Sequence, residues 1–134
     1  MIGIDIVETK RFVDEKQGFE KMFCESELEY ARKSFDPHVH LAGFWAAKEA
    51  FFKALGTGIT TLELNKICVM HDKNQKPYLF LDEQTKQKFD LLGKDVEISI
   101  SHTKEIAASI CIIKWFLDKL NLGLKKSFFC LEIF

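Results

Sequence analysis

The sequence predicts an α+β fold in which a mostly antiparallel sheet packs with one long helix and several shorter helices. Two observations lead to this prediction. Apolar residues alternate with other residues near both ends of the chain, which is typical of strands, and a long apolar-rich segment without proline lies between them. The 134 residues are enough for one compact domain with a sizeable core.

The first strand is predicted at residues 2–7, where three isoleucines occupy every second position. A period of two puts the isoleucines on one face of the strand and Asp5 on the other. Short helical patterns follow at 10–15 and 25–34, and Asp36-Pro37 ends the second.

The longest helix is predicted at residues 38–55, which contain no proline and only one glycine, Gly43. Gly56-Thr57-Gly58 ends it. The segment is more apolar than a surface helix usually is. We therefore expect it to lie between the sheet and a second layer, such as another subunit.

The rest of the chain predicts a strand pair at 64–71 and 77–81, a helix at 83–92, and a final hairpin of 96–101 with 106–113. The last of these strands is almost continuously apolar, which predicts burial on both of its faces.

The domain is predicted to span residues 1–114. Residues 115–134 carry apolar residues at spacings that predict a C-terminal amphipathic extension of the same domain, docked on the core or on a neighbouring subunit.

Composition excludes several classes of function. The net charge of −1 argues against sequence-independent nucleic-acid binding. Four cysteines without a CxxC pair indicate neither a zinc site nor a disulfide framework, so free thiols in a reducing compartment are the simpler interpretation. No apolar run is long enough to cross a membrane, and there is no basic leader, so we expect a cytoplasmic protein without a membrane partner.

Three clusters of residues could carry chemistry. Asp5 lies on the first strand, Trp45, Glu49 and Lys53 follow one another at intervals of four on the long helix, and His102 lies at the tip of the last hairpin. Each has an ordinary alternative when taken alone: an acid facing water, a surface ion pair, and a solvated histidine.

Taken together, the motifs resemble those of the holo-[acyl-carrier-protein] synthases, the small 4′-phosphopantetheinyl transferases. The matching segments are Gly3-Ile4-Asp5-Ile6-Val7-Glu8, Arg11-Phe12, Leu41-Ala42-Gly43, Ala46-Ala47-Lys48-Glu49-Ala50-Phe51, Lys53-Ala54-Leu55-Gly56-Thr57-Gly58-Ile59, Lys76-Pro77 and Ile100-Ser101-His102-Thr103-Lys104. They cover residues 1 to about 114 in the order of the family.

The resemblance implies an enzyme that transfers 4′-phosphopantetheine from coenzyme A to a serine of apo-acyl carrier protein. Adenosine 3′,5′-bisphosphate is released, and the product serves fatty acid biosynthesis. The resemblance also implies a 4′-phosphopantetheinyl transferase-like fold and a Mg²⁺ ion held by Asp5 and Glu49, whose carboxylates are ligands that this ion prefers.

Asp5, Glu49 and Lys53 are the catalytic residues that the resemblance implies. The contacts that it implies for coenzyme A are Lys48, Lys53, Gly56, Thr57, Gly58, Lys76, Pro77, His102 and Thr103. The general base stays open between Glu49 acting on a metal-bound water, direct help from the metal, and no strong base.

The resemblance implies an acidic carrier protein as partner, so a basic docking face is expected at Lys10, Arg11 and Lys21. It also implies a homotrimer with active sites at subunit boundaries. Phe44 stands where many relatives carry an arginine that helps to bind coenzyme A. This departure and the extra tail keep a second hypothesis open, a catalytically silent binding module with the same scaffold. Among acceptors, a fatty-acid carrier protein leads, with polyketide or peptide-synthetase carrier domains as alternatives.

Overall fold

The computed structural model describes residues 1–59 and 64–115, and in them the predicted α+β fold is confirmed. In chain order the elements are β1 (Ile2–Glu8), a 3-10 turn (Thr9–Phe12), α1 (Phe19–Met22), α2 (Glu25–Arg32), α3 (Pro37–Leu55), a second 3-10 turn (Leu64–Lys66), β2 (Cys68–His71), β3 (Pro77–Phe80), α4 (Glu83–Lys88), β4 (Lys94–His102) and β5 (Ile106–Trp115). The predicted amphipathic extension lies, from residue 116 on, outside the described residues.

Three short segments differ from the prediction. The helical pattern at 10–15 forms only a single 3-10 turn, Thr9–Phe12, and the four-residue helix α1 follows where no helix is predicted. A strand is predicted from Leu64, but this segment begins with a second 3-10 turn and strand β2 starts only at Cys68. Such short segments lack the length over which an apolar period can be recognised.

The main sheet has three antiparallel strands in the order β1-β5-β4, and β2 and β3 form a separate antiparallel pair. In the main sheet, Asp5 lies opposite Ser109, which lies opposite Ile100. Helix α3 crosses one face of this sheet and packs mainly on β1 and β5. The first strand and the final hairpin, distant in sequence, are therefore neighbours under one helix.

The other face of the main sheet is open in the single chain. Ile2, Ile4 and Ile6 are 66%, 67% and 68% exposed. On β5, which is predicted to be buried on both faces, Ile106 and Ile112 are also exposed. That prediction is wrong for one isolated chain, because the only helix that packs on the described sheet covers its opposite face.

Helix α3 begins and ends at residues suited to those positions. Pro37 occupies the first turn, where its missing N–H is not needed. Gly56 ends the helix in the left-handed region at φ 75°, a conformation that costs a glycine little. Between these ends the helix is buried on most sides. The sheet covers one side, and Phe12, Phe19, Phe23 and helix α2 pack on the other. This agrees with the expectation that α3 lies between two layers.

The prediction of free thiols is wrong for two cysteines. Cys24, just before α2, and Cys68, at the start of β2, form a disulfide with their Cα atoms 5.8 Å apart. The pair is 44 residues apart in sequence, so no spacing motif indicates it; the packing of α2 on β2 brings the two residues together. Cys111 is free and buried, and Cys130 lies outside the described residues.

Within residues 1–59 and 64–115, none of the helices combines the length and the apolar character that crossing a bilayer requires.

Candidate functional site

Gly3 lets strand β1 approach helix α3 closely. A Cβ atom at this position would overlap the carbonyl oxygen of Ala50 and come within 2.5 Å of the amide nitrogen of Ala54. Side chains two residues apart on a strand share a face, so Asp5 also points toward α3. Its side chain is only 12% exposed. The close approach at Gly3 thus places the Asp5 carboxylate against the long helix.

Lys53 of α3 meets this carboxylate directly. Its ammonium group donates a hydrogen bond to Oδ1 of Asp5 over 2.8 Å, and this bond raises the pKa of Lys53. About half of the Lys53 side chain remains exposed, so the cation lies at the mouth of the site and is accessible to a charged ligand.

Glu49 lies one helical turn before Lys53 and is half-buried. Burial raises the pKa of Glu49, and the negative charge of Asp5 raises it further, whereas Lys53 and Arg11 act in the opposite direction. Asp5, Glu49 and Lys53 therefore interact as one electrostatic cluster, which we call the carboxylate cluster, and Arg11 lies beside it. A cation bound between Asp5 and Glu49 would counter the burial and the repulsion that raise the pKa of Glu49.

The donor set fits a magnesium ion that completes its shell elsewhere. In the part of the chain that the structure describes, no group of three or more His, Cys, Asp or Glu side chains is arranged to hold a metal. Mg²⁺ usually binds through one or two carboxylates and takes its other ligands from water and substrate phosphates. Asp5 and Glu49 supply that number.

Lys48, predicted to contact coenzyme A, lies away from the carboxylate cluster. Its side chain is completely buried, and its ammonium group donates to Glu27 and to the carbonyl oxygens of Met22 and Leu64 over 2.7 to 2.8 Å. Burial lowers the pKa of Lys48 and raises that of Glu27, while their mutual attraction opposes both shifts. All three of the lysine's donors are used within the chain, so we assign it a structural role.

The predicted hairpin-tip residues are exposed at the end of the sheet. Thr103 Oγ1 accepts hydrogen bonds from the N–H groups of Glu105 and Ile106 and shapes the turn. Thr9 ties this tip to the end of β1, because its N–H donates to the carbonyl oxygen of Glu105 over 2.9 Å. His102, the last residue of β4, lies 5.9 Å from His40 of α3 between ring centroids.

Pro77 lines the same cleft as His102, so these two predicted residues are brought together. Lys76 is exposed in the turn before β3, where its backbone N–H donates to Asp72. The predicted Gly56, Thr57 and Gly58 are exposed after α3.

The predicted docking residues lie around the 3-10 turn and α1. Arg11 is exposed and contributes to the field at Glu49, which puts it beside the carboxylate cluster. Lys10 forms an exposed ion pair with Glu8 over 2.8 Å. Lys21 is exposed on α1.

The predicted site residues divide into two groups on opposite sides of α3. Nine positions separate His40 from Glu49, and at about 100° per residue this leaves roughly half a turn between them. Phe44 and Lys53 have the same spacing. The carboxylate cluster thus lies on one side of the helix, and the cleft that contains His102 lies on the other.

Sequence reasoning missed three residues of that cleft. Tyr30, His40 and His71 come from α2, α3 and β2 and surround it together with His102 and Phe44. Their positions follow no sequence spacing, so only the packing of three elements brings them together.

A model of the 4′-phosphopantetheinyl transferase superfamily matches residues 1–111. The chain belongs to this family. The holo-[acyl-carrier-protein] synthase of Caldanaerobacter subterraneus is 38% identical over 116 residues, covering 83% of this chain and 91% of that protein. The holo-[acyl-carrier-protein] synthase of Treponema denticola is 40% identical over 118 residues, covering 84% and 96%.

Among solved structures, the Helicobacter pylori holo-[acyl-carrier-protein] synthase in complex with coenzyme A matches with a TM-score of 0.72 and 28% identity, covering 85% of this chain and all of that one. The predicted family and fold are confirmed, and with them an enzyme of the phosphopantetheinyl transferase class.

Proposed function

We propose that this transferase moves the 4′-phosphopantetheine group from coenzyme A to a serine of apo-acyl carrier protein in a Mg²⁺-dependent reaction that releases adenosine 3′,5′-bisphosphate. The observation that carries this proposal is the carboxylate cluster, in which two family-motif acids from a strand and a helix meet beside a family-motif lysine. The relatives' names specify the carrier protein as their substrate.

Asp5 and Glu49 would hold the ion. Bound there with the diphosphate of coenzyme A, Mg²⁺ would neutralise charge that develops on the phosphoryl oxygens. The partly exposed Lys53 adds a positive charge on the same side, and its bond to Asp5 orients both groups. Phosphoryl transfer depends mostly on such positioning and charge stabilisation. The acceptor of the serine proton remains open, with Glu49 as the candidate residue.

A homotrimer with sites at subunit boundaries is part of the proposal. Within one chain, the carboxylate cluster and the His102 cleft lie half a turn apart around α3. A single ligand therefore reaches both only where two chains meet. The open isoleucine face of β1 and β5 supports association, because contiguous exposed apolar surface of this kind marks protein interfaces.

Arg11, Lys10 and Lys21 form the proposed docking face for the acidic carrier protein. Arg11 is the strongest candidate, because it is exposed and lies close enough to the carboxylate cluster to affect Glu49. Lys10 is partly neutralised by Glu8. The role in fatty acid biosynthesis and the cytoplasmic location stay predictions.

The test is a transfer assay read by intact mass. The protein is incubated with coenzyme A, Mg²⁺ and an apo-acyl carrier protein, and the carrier is expected to gain one phosphopantetheine. A carrier whose acceptor serine is replaced by alanine serves as the control and should gain nothing. A carrier that keeps its mass with Mg²⁺ and with Mn²⁺ would contradict the proposal and favour the silent binding module.

A further inference from the structure

A cleft on the side of α3 away from the carboxylate cluster is surrounded by five aromatic or imidazole rings. Its volume is about 180 Å³. We call it the histidine cleft. The rings come from α2, α3, β2 and β4 and belong to Tyr30, His40, Phe44, His71 and His102.

The rings hold one another in defined orientations. Tyr30 and His71 stack face to face, with centroids 4.4 Å apart and planes inclined by 9°. His40 and Phe44 each meet Tyr30 edge-on, at 5.4 and 5.7 Å. Such pairs are favourable aromatic contacts, so the cleft has preformed walls of the kind that accept a flat ring.

The three imidazoles of this cleft have no hydrogen-bond partner among the described residues. His40 and His71 are nonetheless half-buried. Polar groups that are withdrawn from water normally have a partner. The imidazole nitrogens that line this cleft are therefore available to form hydrogen bonds with a ligand.

An anion in the cleft would counter the repulsion among its imidazoles when they are protonated. Burial lowers the pKa of His40, His102 from β4 and His71 from β2 lower it further, and Asp36 at the start of α3 opposes them. Burial lowers the pKa of His71, with Asp72 in opposition. No set of three ligating side chains is formed at this cleft in the part of the chain described here.

A second hollow of about 300 Å³ continues the cleft and shares Val39, His40 and His102 with it. Lys104 and Asp36 line this hollow with one cation and one carboxylate, and Phe35 beside them is 98% exposed. Aromatic walls with nearby cationic groups match a phosphorylated heteroaromatic ligand, since flat bases stack on aromatic rings and phosphates accept hydrogen bonds from cationic donors.

We propose that His40 and His71 are specificity determinants for the 3′-phosphate at the adenosine end of coenzyme A, acting with His102 across the histidine cleft. This inference rests on the proposed function. Neither residue belongs to a motif that carries the family resemblance. They lie beside Phe44, the position at which that resemblance would place an arginine, and in their protonated forms they supply the positive charge that Phe44 cannot provide.

Histidines at these positions make phosphate binding depend on pH near neutrality, which an arginine would not do. In the free protein the lowered pKa values keep His40 and His71 mostly neutral near pH 7, and a bound phosphate dianion favours their protonated forms. Binding therefore takes up protons. Affinity for the 3′-phosphate is strong at low pH and is lost as the pH rises through the pKa values of the complex.

The test compares two nucleotides by titration calorimetry. Adenosine 3′,5′-bisphosphate and adenosine 5′-monophosphate differ in the 3′-phosphate alone. We expect the bisphosphate to bind about tenfold more tightly near pH 6, which corresponds to a shift of about one pKa unit, and this preference to fall toward unity near pH 8. The binding enthalpy should also vary with the ionisation enthalpy of the buffer, because protons are taken up.

His40→Gln and His71→Gln should each reduce the preference for the bisphosphate and flatten its pH dependence. His38→Gln is the matched control, because His38 lies next to α3's start but lines other hollows. Equal affinity for both nucleotides at every pH, or variants that keep the wild-type pH profile, would overturn the proposal. The buffer dependence is measured on the wild-type protein and therefore does not depend on whether a variant folds.

Failure of the proposed function would look different. Nucleotide binding requires no carrier protein, so a protein that discriminates between the nucleotides yet never modifies a carrier would reject the transfer reaction and leave this inference intact. A protein that modifies the carrier but binds both nucleotides equally would do the reverse.

Discussion

Two lysines five positions apart on α3 illustrate how burial decides what a charged residue does. Lys48 and Lys53 both belong to one family motif, and both are predicted from it to contact coenzyme A. In the fold, Lys48 is enclosed with Glu27, whereas Lys53 lies half exposed beside Asp5. The motif contains both lysines, but only the packing of α1 and α2 against the helix separates the buried one, to which we assign a structural role, from the exposed one that we propose to be functional.

Replacing Lys48 by methionine is expected to destabilise the protein by about 3–5 kcal/mol, because the buried Glu27 carboxylate would lose its cation. Lys53→Met is the matched comparison. Its ammonium group is half exposed, although its partner Asp5 is mostly buried, so the expected loss is smaller, about 1–2 kcal/mol. Urea unfolding at one fixed protein concentration measures both. If Lys48→Met left the unfolding free energy unchanged and instead weakened coenzyme A binding, the structural role would be wrong.

At the scale of elements, the contact between β1 and α3 creates the carboxylate cluster. The period of two predicts strand β1 and puts Asp5 on the face opposite the isoleucines, as found. It does not predict that the face carrying an acid is the one that packs inward, since amphipathic strands ordinarily bury their larger apolar side chains. That inversion follows from Gly3, whose lack of a side chain lets two backbones meet.

Gly3→Ala is expected to cost about 2–3 kcal/mol of stability, because the new methyl group would meet backbone atoms of α3 that cannot move aside individually. It should also lower transfer activity, since Asp5 lies two residues away on the same face. Thermal unfolding and the mass assay measure the two effects.

Gly58→Ala is the control for stability, because no heavy atom lies within 4 Å of its added methyl group; its expected change is below about 0.5 kcal/mol. A Gly3→Ala protein as stable as the wild type would mean that β1 does not approach α3 as closely as described.

At the scale of the whole molecule, two features of the single chain indicate association with other chains. The isoleucine face of β1 and β5 is open, and the two groups of site residues lie on opposite sides of α3. The sequence predicts the strands, the long helix and the family motifs, because each leaves a local pattern. It could not predict the histidine cleft or the Cys24–Cys68 disulfide, whose members are brought together only by long-range packing.

Association through the isoleucine face predicts that Ile4→Lys yields monomers. A charge at the centre of this face would have to lose its hydration in the interface. Sedimentation velocity should therefore give a trimer for the wild type and a monomer for the variant. Leu92→Lys changes an exposed apolar residue outside this face and should keep the wild-type state. A wild-type chain that sediments as a monomer while remaining active would refute the trimer.

Asp5 and Glu49 are expected to hold one divalent ion together. Mn²⁺ can report this directly, because its electron paramagnetic resonance signal distinguishes free from bound ion and it accepts the same oxygen ligands as Mg²⁺. In the presence of coenzyme A, the wild type is expected to bind one Mn²⁺ per chain, and Asp5→Asn and Glu49→Gln are each expected to weaken binding by at least about tenfold, with the fold intact by circular dichroism. Two variants that bind Mn²⁺ as tightly as the wild type would contradict the account.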